Sequence, residues 1–176
     1  MNIVVERYTK IKSNIVSLKP IKPVNIIAVS KTFPLEHIHP LIEHGHIHYG
    51  ENKVQEAMAK WSEKKATNQN LKLHMIGKLQ SNKAKDAVKI FDYIHSLDNQ
   101  KLADTLAKHQ KNLKKEIEYF IQVNIGNEIQ KSGIDKNDIS QLVTYCKEIG
   151  LDLMGLMCIP PVNTNPVTYF EEMNKL

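Results

Sequence analysis

"NIIAVSKTFPLEHIHPLIEHG", residues 25–45, sets an apolar run, a short turn and an amphipathic run in direct succession. Residues 25–31 read as a buried strand closed by Lys31, because a short apolar run bounded by turn residues has the length of a strand. Residues 34–45 read as a helix, with Pro34 near its first turn and Gly45 just past its end. Lys31 is the odd member of this stretch. Either it marks the surface end of a core strand, or its amine sits at the mouth of a barrel and condenses with an aldehyde.

Working outward, the same order of strand and helix recurs to the end of the chain. Strands are expected at 46–52, 71–77, 92–98, 118–126 and 151–160. Helices are expected at 53–66, 81–91, 99–115, 135–150 and 166–176, with Ser81 as an N-cap. Ahead of them, residues 3–18 carry apolar positions at helical spacing, and Pro20 and Pro23 end that run. Repeated strand–helix units require parallel strands with helical crossovers, which leaves an open doubly wound sheet or a (β/α)8 barrel. Polar residues cluster after nearly every strand, at 30–32, 50–52, 77–82, 96–99, 124–128 and 158–163. A barrel collects function at all of its C-terminal strand ends, whereas an open sheet concentrates it at one switch point. No nucleotide-binding glycine motif follows a strand. Both observations favour the barrel.

At 176 residues, 41% hydrophobic and 24% charged, the chain is sized for one globular domain. The formal net charge of +5 comes from lysines dispersed among glutamates, without the basic stripe and interleaved aromatics of a nucleic-acid surface. Cys146 and Cys158 supply neither a disulfide framework nor ligand spacing, and fit a reducing compartment as small core residues. The first residues lack the apolar core of a signal peptide and no run reaches membrane-spanning length, so a cytoplasmic location is expected.

Several segments can carry chemistry. At a barrel strand end, desolvation or a neighbouring cation can free the amine of Lys31 for imine formation. In YGENKVQE, residues 49–56, Glu51 and Asn52 stand at the exit of the second strand, and Asn52 can cap the following helix with Glu56 in its first turn. In HMIGKLQSNKAK, residues 74–85, the amides of Gln80, Ser81 and Asn82 can hold a phosphate or carboxylate at a helix start. His74 alone reads best as a satisfied core histidine. VNIGNEIQKSG, residues 123–133, places Glu128 near Lys131, and Met157 of GLMCIPP can pack on a flat ring or simply fill core. The histidines of EHIHPLIEHGHIH have no carboxylate or cysteine partner at ligand spacing, so no metal site is expected.

Taken in order, AVSKT (28–32), YGENKVQE (49–56), HMIGKLQSNK (74–83), SLDN (96–99), VNIGNEIQKSG (123–133) and GLMCIPP (155–161) resemble the pyridoxal 5′-phosphate homeostasis proteins, the YggS or PROSC family. The resemblance runs from about Val24 to the end of the chain. It implies an α/β fold like the N-terminal domain of alanine racemase: a (β/α)8 barrel spanning residues 1–176 as one domain, with an N-terminal helix over 1–19 and the barrel from about residue 24. It implies pyridoxal 5′-phosphate held as an aldimine on Lys31 in a half-enclosed cavity. Asn52, Met75, Asn82 and Met157 are implied as pocket positions, and Lys131 as a lysine near the mouth. The implied role is cofactor binding in vitamin B6 and amino-acid homeostasis without clear catalysis, with pyridoxal phosphate-dependent apoenzymes as recipients. A low-activity amino-acid racemase is the alternative, and a cofactor-free imine enzyme of the aldolase kind also places a lysine at a barrel strand end. Racemase chemistry needs a second positioned acid or base as well as the imine.

Two departures from the family pattern stand out. Lys78 occupies a position where the family carries a small residue or proline. The family also continues for two further strand–helix units, bearing a serine, a Gly-Thr pair for the phosphate and an arginine at the pyridine nitrogen. The chain is therefore expected to be a C-terminally truncated barrel of about six units, with unpaired strand edges and weak cofactor binding on its own.

Overall fold

The computed structural model describes residues 2–128 and 132–176. The chain opens with helix α1 (Ile3–Ser17), whose first turn is capped by Asn2 accepting from the Val4 amide at 2.9 Å. There follow β1 (Ala28–Val29), α2 (Leu35–Glu43), β2 (His48–Glu51), α3 (Val54–Thr67), β3 (Lys72–Met75), α4 (Ala84–Ile90) and β4 (Tyr93–Leu97). The remainder is α5 (Gln100–Leu113), β5 (Glu118–Val123), α6 (Ile139–Glu148), β6 (Asp152–Cys158) and α7 (Pro166–Met173). Short 3-10 turns, Ser81–Lys83 and Lys136–Asp138, lead into α4 and α6.

The strands form one six-stranded parallel sheet in the order β1-β2-β3-β4-β5-β6. Sequential order decides between the two architectures. Right-handed crossovers that always step the same way put every helix on the same face of the sheet, as in a barrel wall, whereas a doubly wound sheet reverses and carries helices on both faces. The helix-facing side of the sheet contributes Tyr49, Leu73, Met75, Ile94, Tyr119 and Ile121 to a core shared with Trp61, Val88, Leu106 and Cys146. Cys146 is thus a buried core residue, while Cys158 is half-buried.

Several element ends differ from the sequence reading. β1 covers only Ala28–Val29 rather than 25–31, and its run is half-exposed, with Val29 50% accessible. Its only partner among the described residues is β2, so one edge has nothing to complete a ladder. β6 likewise pairs only with β5 among the described residues, and Met154 and Ile159 are exposed. Ser81 is not an N-cap, because its segment begins as a 3-10 turn after Gln80. Pro34 stands at the N-cap of α2 rather than within it, and the helix runs through Pro40. Gly45 does end that helix, with φ +89. Among the described residues no helix is long and apolar enough to cross a membrane.

Candidate functional site

All the parallel strands end at the same side of the sheet, and the polar segments singled out in the sequence gather there. The turn after β1 is the most firmly held. Ser30 is buried, and its amide continues the ladder to the Gly50 carbonyl at 2.9 Å. Its hydroxyl donates to Glu51 Oε1 at 2.7 Å. Glu51 is fully buried on the helix side of β2, where Oε1 also accepts from Lys60 Nζ and Trp61 Nε1, both at 2.9 Å. Oε2 of the same carboxylate is buried without a partner. Lys60 Nζ donates further to the Ser30 carbonyl at 2.9 Å and lies 3.5 Å from Glu56 Oε1. Glu56 Oε1 in turn accepts from the Thr32 amide at 2.8 Å. That amide first, and then the Lys60 ammonium, holds the Glu56 carboxyl below the usual carboxylate range.

Between these two held residues stands Lys31. It is exposed, just beyond the tip of the edge strand. The structure has this residue exposed rather than in the half-enclosed setting expected, and β1 pairs only with β2 among the described residues. Thr32 adopts φ +67, a left-handed conformation that is costly for a β-branched residue.

Asn52 does not cap α3, whose N-cap is Lys53 without a side-chain bond. Its Oδ1 is instead buried and partnerless. Asn52 and Met75 line one cleft of about 370 Å³ with Lys78, Gln80 and Lys83. Met75 is only 1% exposed and belongs equally to the core. Gly77 presses on Asn52: a Cβ there would meet the Asn52 carbonyl oxygen at 2.4 Å and its Cα at 2.7 Å. Gly77→Ala must therefore push the exits of β2 and β3 apart. An expected loss of about 2 kcal/mol, or roughly 4–8 °C in Tm, is checked by thermal unfolding. Gly45→Ala is the control, since a Cβ there has nothing within 4 Å and costs only the strain of its φ.

A second cavity of about 260 Å³ opens where β3, β5 and β6 end, lined by Gly77, Lys78, Gln122, Asn124 and Ser132. Lys78, the departure noted in the sequence, borders both cavities. Asn82 is exposed on the Ser81–Lys83 turn, and Met157 is half-buried on β6 opposite Gln122. Lys131 lies outside the described residues. The structure thus unites Asn52 with Met75 in one cleft, with Lys31 just past β1, Asn82 on the turn into α4 and Met157 at the penultimate position of β6.

One feature escaped the sequence reading. On the face of the sheet away from the helices, His48 Nδ1 lies 3.0 Å from His74 Nε2, and His74 Nδ1 lies 2.9 Å from His95 Nε2. His74 stacks on Tyr93 and His95 on Phe120. His74 is a satisfied core histidine, as read, but as the middle of a row. Burial, then the neighbouring imidazoles, pushes His74 down to about 3, and burial pushes His95 down to about 4. His48, His74 and His95 come from three different strands, and only the inter-strand register aligns them.

Residues 7–175 match the family described as alanine racemase, N-terminal domain. A pyridoxal phosphate homeostasis protein of Pasteurella multocida is 38% identical over 162 residues, which cover 90% of this chain and 70% of that protein. The chain belongs to the pyridoxal phosphate homeostasis protein family. The Escherichia coli K12 member is 36% identical over 84% of this chain and 64% of its own length. Among curated relatives the chain spans 60% of the Haemophilus influenzae homeostasis protein and 70% of the Pasteurella one. PipY of Synechococcus elongatus, solved with PLP bound, superposes with a TM-score of 0.79 at 33% identity, covering 93% of this chain and 78% of that chain. An alanine racemase of Clostridium difficile superposes at 0.67 with 14% identity, covering 92% of this chain and 44% of that one, a likeness of fold. The curated relatives are named for homeostasis rather than for a reaction.

Proposed function

We propose that this homeostasis-family chain binds pyridoxal 5′-phosphate through the amine of Lys31 and serves as a carrier in vitamin B6 and amino-acid balance inside the cell, handing the cofactor to apoenzymes. The observation that carries the reading is the match to PipY, solved with PLP, over 93% of the chain. The strand-end chemistry fits such a ligand in three respects. Lys31 follows β1 on a turn held from both sides, with its side chain exposed. Asn52 Oδ1 is a buried acceptor awaiting a donor. Lys78, Gln122, Asn124 and Ser132 offer an ammonium, amides and a hydroxyl around the adjoining cavity, suited to an anionic, oxygen-rich group.

When bound, the cofactor supplies an aldehyde that a lysine amine captures reversibly. The residues assigned to hold it are Lys31, Asn52, Met75, Asn82 and Met157, and the family resemblance adds Lys131, which lies outside the described residues. Lys31 supplies the nucleophilic nitrogen, Asn52 orients polar groups at the exit of β2, and half-buried Met157 offers polarisable surface to a flat ring, while Met75, 1% exposed, packs behind the exit of β3. The likeness to alanine racemases is one of fold at 14% identity and brings no activity with it.

The test is borohydride trapping after incubation with saturating pyridoxal phosphate, followed by peptide mapping. The reduced adduct is expected on Lys31, and Lys31→Ala should lower both that label and the visible imine band more than tenfold. Label spread evenly over the surface lysines, unchanged in the variant, would remove Lys31 from the site. Turnover of an amino acid to its enantiomer by the purified chain would favour an enzyme over a carrier.

A further inference from the structure

We infer that Glu56, acting with Lys60 and Glu51, is a positioning residue for Lys31, holding the lysine's backbone in the conformation from which its amine reaches the cofactor. The inference rests on the reading of Lys31 as the capturing amine. It goes beyond that reading by assigning a task to three charged residues, of which Glu56 also lines the cleft of Asn52 and Met75.

The geometry is specific to the two peptide groups around Lys31. On the N-terminal side, Ser30 donates to Glu51 Oε1 at 2.7 Å and its carbonyl accepts from Lys60 Nζ at 2.9 Å. On the C-terminal side, Thr32 donates its amide to Glu56 Oε1 at 2.8 Å. Lys60 joins the two carboxylates, at 2.9 Å from Glu51 and 3.5 Å from Glu56. Lys31 is therefore the one residue of the turn whose neighbours on both sides are tied to the same charged group. A two-residue strand on an open sheet edge has little ladder to hold it, and Thr32, three residues past its end, sits at φ +67. Such a conformation persists only where surrounding contacts over-determine it. The carboxylate of Glu56 is the contact that does so, since an ionised acceptor makes a stronger bond to an amide than a neutral one. Placing the restraints on the backbone leaves the ammonium of Lys31 without a carboxylate partner among the described residues, so its nitrogen is not locked in an ion pair there.

The purely structural alternative is that this group only fastens β1 to α3. The two are separated by Glu56, whose side chain is 29% exposed and whose removal leaves the buried Glu51–Lys60 pair in place. Glu56→Ala and Glu56→Gln are compared with the unmodified chain by three measurements: urea unfolding, hydrogen exchange of the Thr32 amide, and affinity for pyridoxal phosphate with the trapped adduct mapped. In Glu56→Ala, exchange of Thr32 should quicken at least tenfold while amides of β3 and β4 stay protected. Affinity should fall about tenfold, and label should spread from Lys31 to other lysines. Glu56→Gln, which keeps an acceptor, should recover affinity to within about threefold. Unchanged Thr32 exchange, or unchanged affinity and Lys31 selectivity in Glu56→Ala, overturns the inference. If the unmodified chain takes no label on Lys31, the proposed function falls instead, and Thr32 exchange still decides whether Glu56 holds the turn.

Discussion

Lowering the pH from 6.5 to about 4.5 is expected to cost this protein roughly 3 to 6 kcal/mol of folding stability, most of it from the row of imidazoles behind the strand ends. His74 and His95 are 4% and 8% exposed, and burial places their proton affinities near pH 3 and 4, against 6.5 for a free imidazole. His48 and His46 are lowered in the same direction, chiefly by burial, with Lys72 adding to the effect at His48. The unfolded chain therefore binds more protons than the folded one between these limits. The stabilisation is whole above pH 6.5 and is lost as the pH falls toward the folded-state values. Hydrogen bonding sharpens the effect. Each N···N contact in the row needs one donor and one acceptor, so the three rings can rearrange around a single added proton. A second imidazolium sets one N–H against another. Urea unfolding at intervals between pH 7.5 and 4.5 checks this. Loss between pH 6.5 and 5 belongs to histidine, because carboxylates titrate below that window. A flat profile there would show that the rings are already hydrated or charged in the native state.

Lys60→Met is expected to cost about 3–5 kcal/mol, because it leaves the Glu51 carboxylate buried with no counter-charge. Glu51 is 0% exposed, and the side chain of Lys60 only 10%. Two neutral donors, Ser30 Oγ and Trp61 Nε1, remain on Oε1 after the change, but Oε2 already lacks a partner. The double variant Glu51→Gln with Lys60→Met removes both charges while keeping an acceptor for Ser30 and Trp61. It should regain more than half of the loss, since the penalty comes from the unpaired charge rather than from missing volume. Equal losses in the single and double variants would mean that shape, and not charge, holds α3 against β2. Measured urea midpoints with unchanged slopes make the comparison valid.

The same residues show how far a linear reading reaches. The alternation from residue 25 onward was legible because strand and helix have different hydrophobic periods, and each crossover needs its own polar turn. The motifs around Lys31, Asn52 and Met75 were legible as a set through their order along the chain. The length of β1 was not, since a strand ends where its partners end, and partnership on an outer edge is a property of the assembled sheet. Nor was the role of Asn52: an asparagine before a helix usually caps it, and only the assembled structure shows its Oδ1 buried without a partner while Lys53 takes the N-cap position.

What the sequence determined unaided was the succession of parallel units, the side of the sheet on which polar turns collect, and the lysine offered at the first of them. These follow from local rules of burial and backbone conformation that act within a few residues. The tertiary structure alone decided that His48, His74 and His95 form one row, that a buried Glu51–Lys60 pair stands behind the Lys31 turn, and that Lys31 itself emerges into solvent. Each of these depends on register between strands or on packing of α3 against β2. Such relations arise from distances between segments far apart in the chain, which periodicity along it does not encode.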